Sequence, residues 1–195
     1  AIRFRESNAR PMGRTARGVK GIKLGKDDCV VGMVVADPTG LLLTLCENGY
    51  GKRTPFGANT PLPEGATDEG DEGAPESEAA EPEPSDTEGA EGESEGDPSG
   101  MRYRLQRRGG KGVKDVKVTA KNGKVVGVTS VRDGDEIMLI TKDGMVTRSK
   151  VDAIRIVGRN TQGVRVMNLS EGDKIVSVAK VAQEKVEGDS GTPKE

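Results

Sequence analysis

The sequence contains no histidine and no tryptophan, and it has only two phenylalanines, two tyrosines and two cysteines. Without histidine the chain lacks the usual general base, the usual partner of a catalytic serine or cysteine, and the commonest metal ligand. So few aromatic rings also argue against a single-stranded nucleic acid as partner, since unpaired bases need stacking platforms. We therefore expect no catalytic site and no metal site in this chain.

Long apolar runs are missing as well. No segment is apolar enough to span a membrane, and no basic segment precedes an apolar stretch in the manner of a signal peptide. The default expectation is a cytoplasmic protein without a membrane partner. Cys29 and Cys46 lack the paired spacing of a zinc site and are expected to be reduced core residues in that compartment.

The net charge of −2 conceals two oppositely charged kinds of segment. Residues 58–100 carry fifteen Asp and Glu and no Lys or Arg, among Gly, Pro, Ser and Ala, which predicts a disordered acidic insertion. Residues 1–57 have a net charge of +5 and residues 101–195 one of +8. These basic parts predict a polyanionic partner that the overall isoelectric point hides.

Three segments, which we call the anchor segments, align without gaps: GRTARGVKGIKL at 13–24, RRGGKGVKDVKV at 107–118 and GRNTQGVRVMNL at 158–169. Each has an Arg four residues before a Gly that is followed by a Val and a cation. Gly112 and Gly163 are 51 positions apart, whereas Gly18 and Gly112 are 94 apart, and the excess of 43 equals the length of the acidic insertion. The spacing predicts repeats of about fifty residues with an insertion inside one of them.

Between the anchor segments the pattern is typical of β-structure. Apolar and β-branched runs predict strands at 30–35, 41–45, 125–131, 137–141 and 175–181. Asn48-Gly49, Asn122-Gly123 and Asp143-Gly144 have the chemistry of tight turns. Repeats of this size with roughly four strands each predict an all-β, propeller-like fold.

A second landmark of the repeat is an Arg that ends a strand-like run, at Arg3, Arg53 and Arg148. Arg3 and Arg148 each lie 15 positions before their anchor glycine. The chain supplies two to three blades, whereas propellers close with about four to eight. Because residues 1–4 match a strand that elsewhere follows a hairpin turn, we expect a fragment that begins within a blade.

Four segments occur in an order that resembles the C-terminal domain of the A subunit of DNA gyrase, called gyrase A below. They are IRFRESNARPMGRTARGVKGIKL at 2–24, ENGYGKRTPF at 47–56, QRRGGKG at 106–112 and IVGRNTQGVRV at 156–166. QRRGGKG is similar to the gyrase-A box of that family, although the family has its box in the first blade and here it precedes the last repeat. The resemblance covers 1–57 and 101–182 and leaves out the insertion and a flexible tail at 183–195. The corresponding A subunit of topoisomerase IV, whose box is typically degraded, is the weaker match.

The resemblance implies part of a strand-swapped, six-bladed β-pinwheel whose basic rim wraps double-stranded DNA through sequence-nonspecific backbone contacts. It implies a non-catalytic module that supports ATP-dependent negative supercoiling by a bacterial, nucleoid-associated holoenzyme, with gyrase B and a second copy of gyrase A as partners. The DNA-cleaving tyrosine, the metal-binding acidic cluster and the ATPase of that enzyme lie elsewhere. No cofactor is therefore expected in this chain, and ATP and Mg are used by other parts of the holoenzyme.

Cations that recur at equivalent blade positions are expected to form an arc along the backbone of a bent duplex. The residues predicted to bind DNA are Gln106, Arg107, Arg108, Gly109, Gly110, Lys111, Gly112, Lys114, Arg14, Lys20, Arg159 and Arg165. Among them, Gly109 and Gly110 are expected to open the backbone, that is, to let it approach the DNA closely and adopt torsions that other residues avoid.

Several alternatives stay open. Arg14, Arg108 and Arg159 could be packing partners or turn caps, and Lys111 and Lys114 could be merely solvated. A propeller that binds acidic proteins is the alternative function. The acidic insertion is either a tolerated, solvated loop or a tethered competitor of DNA for the neighbouring 106–112 segment.

Overall fold

A computed structural model describes residues 1–57 and 102–181, so the predicted insertion and tail lie outside the described residues. The described chain is all-β, as predicted, and its helical turns are two short 3-10 helices at Glu6–Asn8 and Val151–Ala153. The strands are β1 (Leu41–Cys46), β2 (Tyr50–Pro55), β3 (Val125–Val131), β4 (Glu136–Thr141), β5 (Val146–Lys150), β6 (Val164–Arg165) and β7 (Ile175–Lys180).

Two hairpins form where the sequence predicts them. β1 and β2 are joined at Asn48-Gly49, and β4 and β5 at Asp143-Gly144. The glycine in each turn has a left-handed backbone, with φ of +82° at Gly49 and +86° at Gly144, which a residue with a Cβ rarely adopts. Four of the five predicted strands, in β1, β3, β4 and β7, are thereby confirmed.

Each sheet is completed by strands that come later in the sequence. One sheet has the order β3-β1-β2-β6 and the other the order β5-β4-β7, with all neighbours antiparallel. β3 lies beyond the insertion yet pairs along β1, with Leu43 opposite Thr129, and β7 pairs with β4 in the same way, with Leu139 opposite Val178. Consecutive repeats therefore exchange a strand, which is the arrangement that the resemblance implied.

The prediction of a strand at 30–35 is wrong. This segment has no strand pairing, and Val30, Met33 and Val35 are exposed. Its counterparts in the repeat are β3 and β7, each of which pairs with the first strand of the preceding hairpin. Among residues 1–57 and 102–181 no strand pairs with this segment, and a composition that favours strands forms one only where a neighbouring strand pairs with it.

One apolar core joins the two sheets. It consists of Leu43, Leu45, Val131, Ile137, Leu139, Val151, Ile154, Met167 and Ile175, and a smaller cluster of Leu42, Phe56 and Tyr103 lies beside it. Both clusters draw on β1 and on residues beyond the insertion. Burial of each large apolar side chain contributes about 1.5–3 kcal/mol, so these shared clusters hold the repeats together.

Buried arginines also join consecutive repeats. Arg3, which is 7% exposed, donates to the backbone oxygens of Phe56 (2.6 Å) and Tyr103 (3.0 Å). Arg53, 5% exposed, donates from Nε to the backbone oxygen of Ile154 (2.6 Å), and Ile154 is the repeat equivalent of Tyr103. Two of the three landmark arginines therefore form contacts between repeats, whereas Arg148 is exposed and pairs with Glu136 of β4.

Gly163 lies beside β6, at the place where β6 pairs with β2, and the backbones of the two repeats come close together there. Its φ is +79°, and a Cβ added there would lie 2.6 Å from the backbone oxygen of Gly51. We expect Gly163→Ala to lower the free energy of unfolding by at least about 1–2 kcal/mol, because an L-residue in this conformation is strained. Thermal unfolding followed by circular dichroism measures the loss. Gly25→Ala, where an added Cβ would meet nothing within 4 Å, is the control and should be nearly neutral; equal stability of the two variants would contradict the close approach.

Candidate nucleic-acid interface

The three anchor segments lie side by side and are joined by backbone hydrogen bonds. The same pair of bonds occurs at both junctions, at positions that match in the sequence alignment. They run from Gly109 N to Gly21 O (2.7 Å) and Lys23 N to Gly110 O (2.8 Å) at the first junction, and from Asn160 N to Asp115 O (2.6 Å) and Lys117 N to Thr161 O (3.0 Å) at the second. Residues that are equivalent in the sequence alignment therefore occupy equivalent positions in the structure.

Arg108 and Arg159 join neighbouring anchor segments through their guanidinium groups. Arg108 donates from Nε to Asn8 O (2.8 Å) and from Nη1 to Lys20 O, and Arg159 donates from Nε to Arg102 O (2.8 Å) and from Nη1 to Lys114 O (3.4 Å). The acceptors are equivalent positions of the repeat, and both arginines are half-buried. This is the packing role that the sequence left open. Arg14, their counterpart in the first segment, is exposed.

Two glycines of the 106–112 segment are required by its backbone. Gly109 has φ +85° and Gly112 has φ +82°, and a Cβ on Gly112 would overlap with the backbone oxygen of Ala1. Gly110 lacks a positive φ, and a Cβ there would come no closer than 3.5 Å to another residue's atoms. The glycines whose backbone a side chain would strain are therefore Gly109 and Gly112, and the predicted approach of Gly109 and Gly110 to DNA stays a prediction.

Gln106 contributes to the junction through its backbone. Its N–H donates to Arg3 O (2.7 Å), as Val157 N–H does to Arg53 O (2.9 Å) in the next repeat. Its side-chain Nε2 is buried and has no hydrogen-bond partner among the described residues. That amide nitrogen is therefore not presented at the surface.

The remaining predicted cations point to solvent. Arg14, Lys20, Arg107, Lys111, Lys114 and Arg165 are exposed. In residues 1–57 and 102–181 none of these six forms an ion pair. Among these six, within the part of the chain that the structure describes, only Arg165 has side-chain hydrogen bonds, to Asn168 and Tyr50. The three segments thus place a row of cations at the surface whose charge no carboxylate of the described chain neutralises.

Sequence reasoning missed two kinds of residue here. Arg3 and Arg53 are landmarks of the sequence, but nothing in their spacing predicts that they are buried between repeats. Lys117 and Lys121 are exposed on the stretch that follows the 106–112 segment, and their spacing with Lys114 was the available signal. Cys29, expected in the core, is exposed, whereas Cys46 is buried as expected.

A buried polar network lies beneath the middle anchor segment. Lys52 is fully buried and its Nζ lies 3.1 Å from Asp115 Oδ1 and 2.9 Å from the backbone oxygen of Gly158. Asp115 also accepts hydrogen bonds from Tyr103 Oη (2.6 Å) and Thr44 Oγ1 (2.8 Å). Burial lowers the pKa of Lys52, and burial together with the negative charge of Asp115 raises the pKa of Tyr103. This network ties β1 and β2 to the segment that carries Lys111 and Lys114.

No group of three His, Cys, Asp or Glu side chains within 1–57 and 102–181 is close enough to hold a metal ion. Nor does any helix in those residues have the length and apolar character needed to cross a membrane.

Comparison with known families decides the relationship. Residues 1–37, 102–132 and 135–182 match the family model described as DNA gyrase C-terminal domain, beta-propeller. The chain belongs to this family. The predicted all-β, partial propeller fold and the resemblance found in the sequence are both confirmed.

Curated relatives agree with this assignment. The chain is 37% identical over 182 residues to the DNA gyrase A subunit of Salmonella typhimurium, 37% over 185 residues to that of Staphylococcus epidermidis, and 35% over 191 residues to that of Escherichia coli. These matches cover 93%, 94% and 98% of this chain but only 16%, 16% and 17% of the relatives. The chain therefore spans about one sixth of the length of these relatives.

Two solved structures share the fold. A structure of the DNA gyrase A C-terminal domain matches with a TM-score of 0.63 and 24% identity, over 92% of this chain and 46% of that chain. The C-terminal domain of DNA topoisomerase IV matches with a TM-score of 0.62 and 20% identity, over 91% and 42%. At these identities the likeness establishes the fold, which both proteins have in common.

The buried thiol beside the polar network gives a pH prediction. Burial, followed by the charge of Asp115, raises the pKa of Cys46 from 9.0 to about 11. The unfolded chain thus loses this proton at a lower pH than the native chain, so the thiol's contribution to stability is complete below pH 9 and is lost as the pH rises towards 11. We expect Cys46→Ala to lose stability less steeply than the unsubstituted chain across this window, as measured by urea unfolding. Cys29→Ala, at an exposed thiol, is the control and should follow the unsubstituted profile; parallel profiles for all three would refute the prediction.

Proposed function

We propose that this chain is a non-catalytic DNA-binding and DNA-wrapping module of gyrase A. The observation that carries the proposal is the row of exposed cations without carboxylate partners along three hydrogen-bonded anchor segments. Each such cation is free to contact a phosphate, and contacts to the backbone fix position without reading the base sequence. Membership of the gyrase C-terminal domain family supports the same function.

The expected strength of binding follows from counterion release. If the six exposed cations each contact one phosphate of double-stranded DNA, the logarithm of the affinity falls with the logarithm of salt concentration at a slope near −5. Bending a site by 40–90° costs of order 1–6 kcal/mol. Several phosphate contacts can offset that cost, so binding and bending are coupled in this proposal.

The basic residues of the anchor segments have two different roles in this proposal. Arg108 and Arg159 hold neighbouring anchor segments together through backbone oxygens, and the exposed cations on those segments contact DNA. An arginine has five N–H donors, so a guanidinium that packs in this way still adds positive charge to the surface. The curvature of the cation row is then set by the packing of the repeats.

The wider setting is part of the same proposal. Strand passage, with ATP and Mg, is carried out by other parts of a holoenzyme that contains gyrase B and a second copy of gyrase A, and the wrapped duplex gives that passage the direction that yields negative supercoils. A bacterial cytoplasm and association with the nucleoid follow from this role. Because the C-terminal domain of topoisomerase IV has the same fold, the alternative proposal is that this chain is part of the A subunit of that enzyme.

Substitution of two lysines tests the DNA contact. We expect Lys111→Gln and Lys114→Gln each to reduce the steepness of the salt dependence by about 0.9, because each removes one phosphate contact. Filter binding of a linear duplex at several salt concentrations measures the slope. Lys150→Gln, which removes an exposed lysine from β5 outside the anchor segments, is the matched control and should leave the slope unchanged.

Two outcomes would contradict the proposal. A nearly flat salt dependence of the unsubstituted chain would rule out the phosphate contacts. Failure to retain duplex DNA, together with capture of an acidic protein that survives nuclease treatment, would favour a protein-binding propeller instead.

A further inference from the structure

Two cations from different parts of the chain converge on one aromatic ring. Lys121 Nζ lies 5.8 Å from the ring centroid of Tyr50, and Arg165 Cζ lies 5.6 Å from the same centroid. The ring itself is buried, with 9% of Tyr50 exposed, whereas both cations are exposed. Both distances are within the range of cation–π attraction, which strengthens as the pair is withdrawn from water.

Arg165 is held against the ring by the sheet. Tyr50 begins β2 and lies directly opposite Arg165 of β6 in the antiparallel register. The guanidinium donates from Nη2 to Tyr50 Oη (3.2 Å) and from Nη1 to Asn168 Oδ1 (3.3 Å). Its position is therefore restricted by the strand pairing, by the ring and by two hydrogen bonds.

Lys121 is placed by a turn with a fixed backbone. Asn48 Nδ2 donates to the backbone oxygens of Ala120 (3.1 Å) and Lys121 (3.3 Å), which joins this turn to the β1–β2 hairpin. Asn122, fully buried, donates to the backbone oxygens of Lys117 (2.9 Å) and Gln162 (3.1 Å). The turn is thus tied to the third anchor segment as well, although its lysine points to solvent.

No carboxylate balances the two charges. Within residues 1–57 and 102–181, neither Lys121 nor Arg165 takes part in an ion pair, and the nearby Glu47 is paired with Lys174 at 3.1 Å. The two distances to the ring place the cations no more than about 11 Å apart. Phosphates of one strand follow each other at about 3.4 Å along the axis of B-DNA, so both cations can reach the backbone of one strand.

We propose that Lys121 and Arg165 form a phosphate-binding pair that Tyr50 positions. Lys121 is an additional DNA contact, and Tyr50 is a positioning residue that acts through the two cations. The site extends the row of exposed cations beyond the anchor segments to the turn that precedes β3. The inference rests on the proposed function, since the phosphates are those of a duplex bound to that row.

The cations are tested by the salt dependence of binding. In the complete 195-residue chain, Lys121→Gln and Arg165→Gln are each expected to reduce the slope by about 0.9, and the double variant by about twice as much. Lys150→Gln remains the control. An unchanged slope in Lys121→Gln, while Lys111→Gln still reduces it, would overturn this inference and leave the proposed function standing; unchanged slopes in all of these variants would overturn both.

The role of Tyr50 is tested by a conservative pair of substitutions. Tyr50→Phe keeps the ring and should bind DNA within about twofold of the unsubstituted chain, whereas Tyr50→Leu removes the ring and should reduce the slope towards that of the double variant. In the Lys121→Gln, Arg165→Gln background, Tyr50→Leu should change DNA affinity no further. An equal loss of affinity in both backgrounds would show that Tyr50 acts only on stability. If Tyr50→Leu does not fold, retention of the full salt slope by the Lys121→Gln, Arg165→Gln double variant would still refute the pair.

Discussion

The structure depends on arginines that are buried between repeats and donate to backbone oxygens. Arg53, in β2, reaches Ile154 of the next repeat and also lies 2.7 Å from Asp133 Oδ1. A buried guanidinium without such acceptors would be strongly unfavourable, so neither repeat can form this surface alone. Strand exchange has the same effect, because β3 completes the sheet of β1. The repeats therefore stabilise one another, which explains how a chain with 32% hydrophobic residues forms ordered sheets.

The same constraint divides the basic residues into two groups. Arg3, Lys52 and Arg53 are buried and satisfied by backbone or carboxylate oxygens, and they contribute little to the outer surface. The exposed cations lie on backbone that these contacts hold in place. Because Asp115 is engaged with Lys52, Tyr103 and Thr44, its carboxylate is not available to neutralise the lysines around it. Burial of one set of charges thus leaves the other set without carboxylate partners.

The sequence was sufficient for the local features and for the repeat. Hairpin turns depend on adjacent residues such as Asn48-Gly49, and the repeat needed only the spacing of glycines. The features that the sequence did not predict depend on partners far along the chain. A strand at 30–35 requires a neighbouring strand, the backbone at Gly112 is constrained by Ala1, and the half-buried state of Arg108 depends on Asn8. Composition and periodicity carry no information about which distant oxygen an arginine meets. The sequence could not predict that Lys121 and Arg165 meet at the ring of Tyr50, for the same reason.

The late position of QRRGGKG also has a structural explanation. Residues 106–112 occupy the same place at one junction as 157–163 do at the next, with equivalent hydrogen bonds to the preceding repeat. Left-handed backbone recurs as well, at Gly109 and at its counterpart Asn160, where φ is +54°. The box-like sequence is therefore the more glycine-rich and cationic version of the segment that occurs at both described junctions. In the proposed function each junction adds cations to the same row, and the length of that row sets how much duplex the chain would hold.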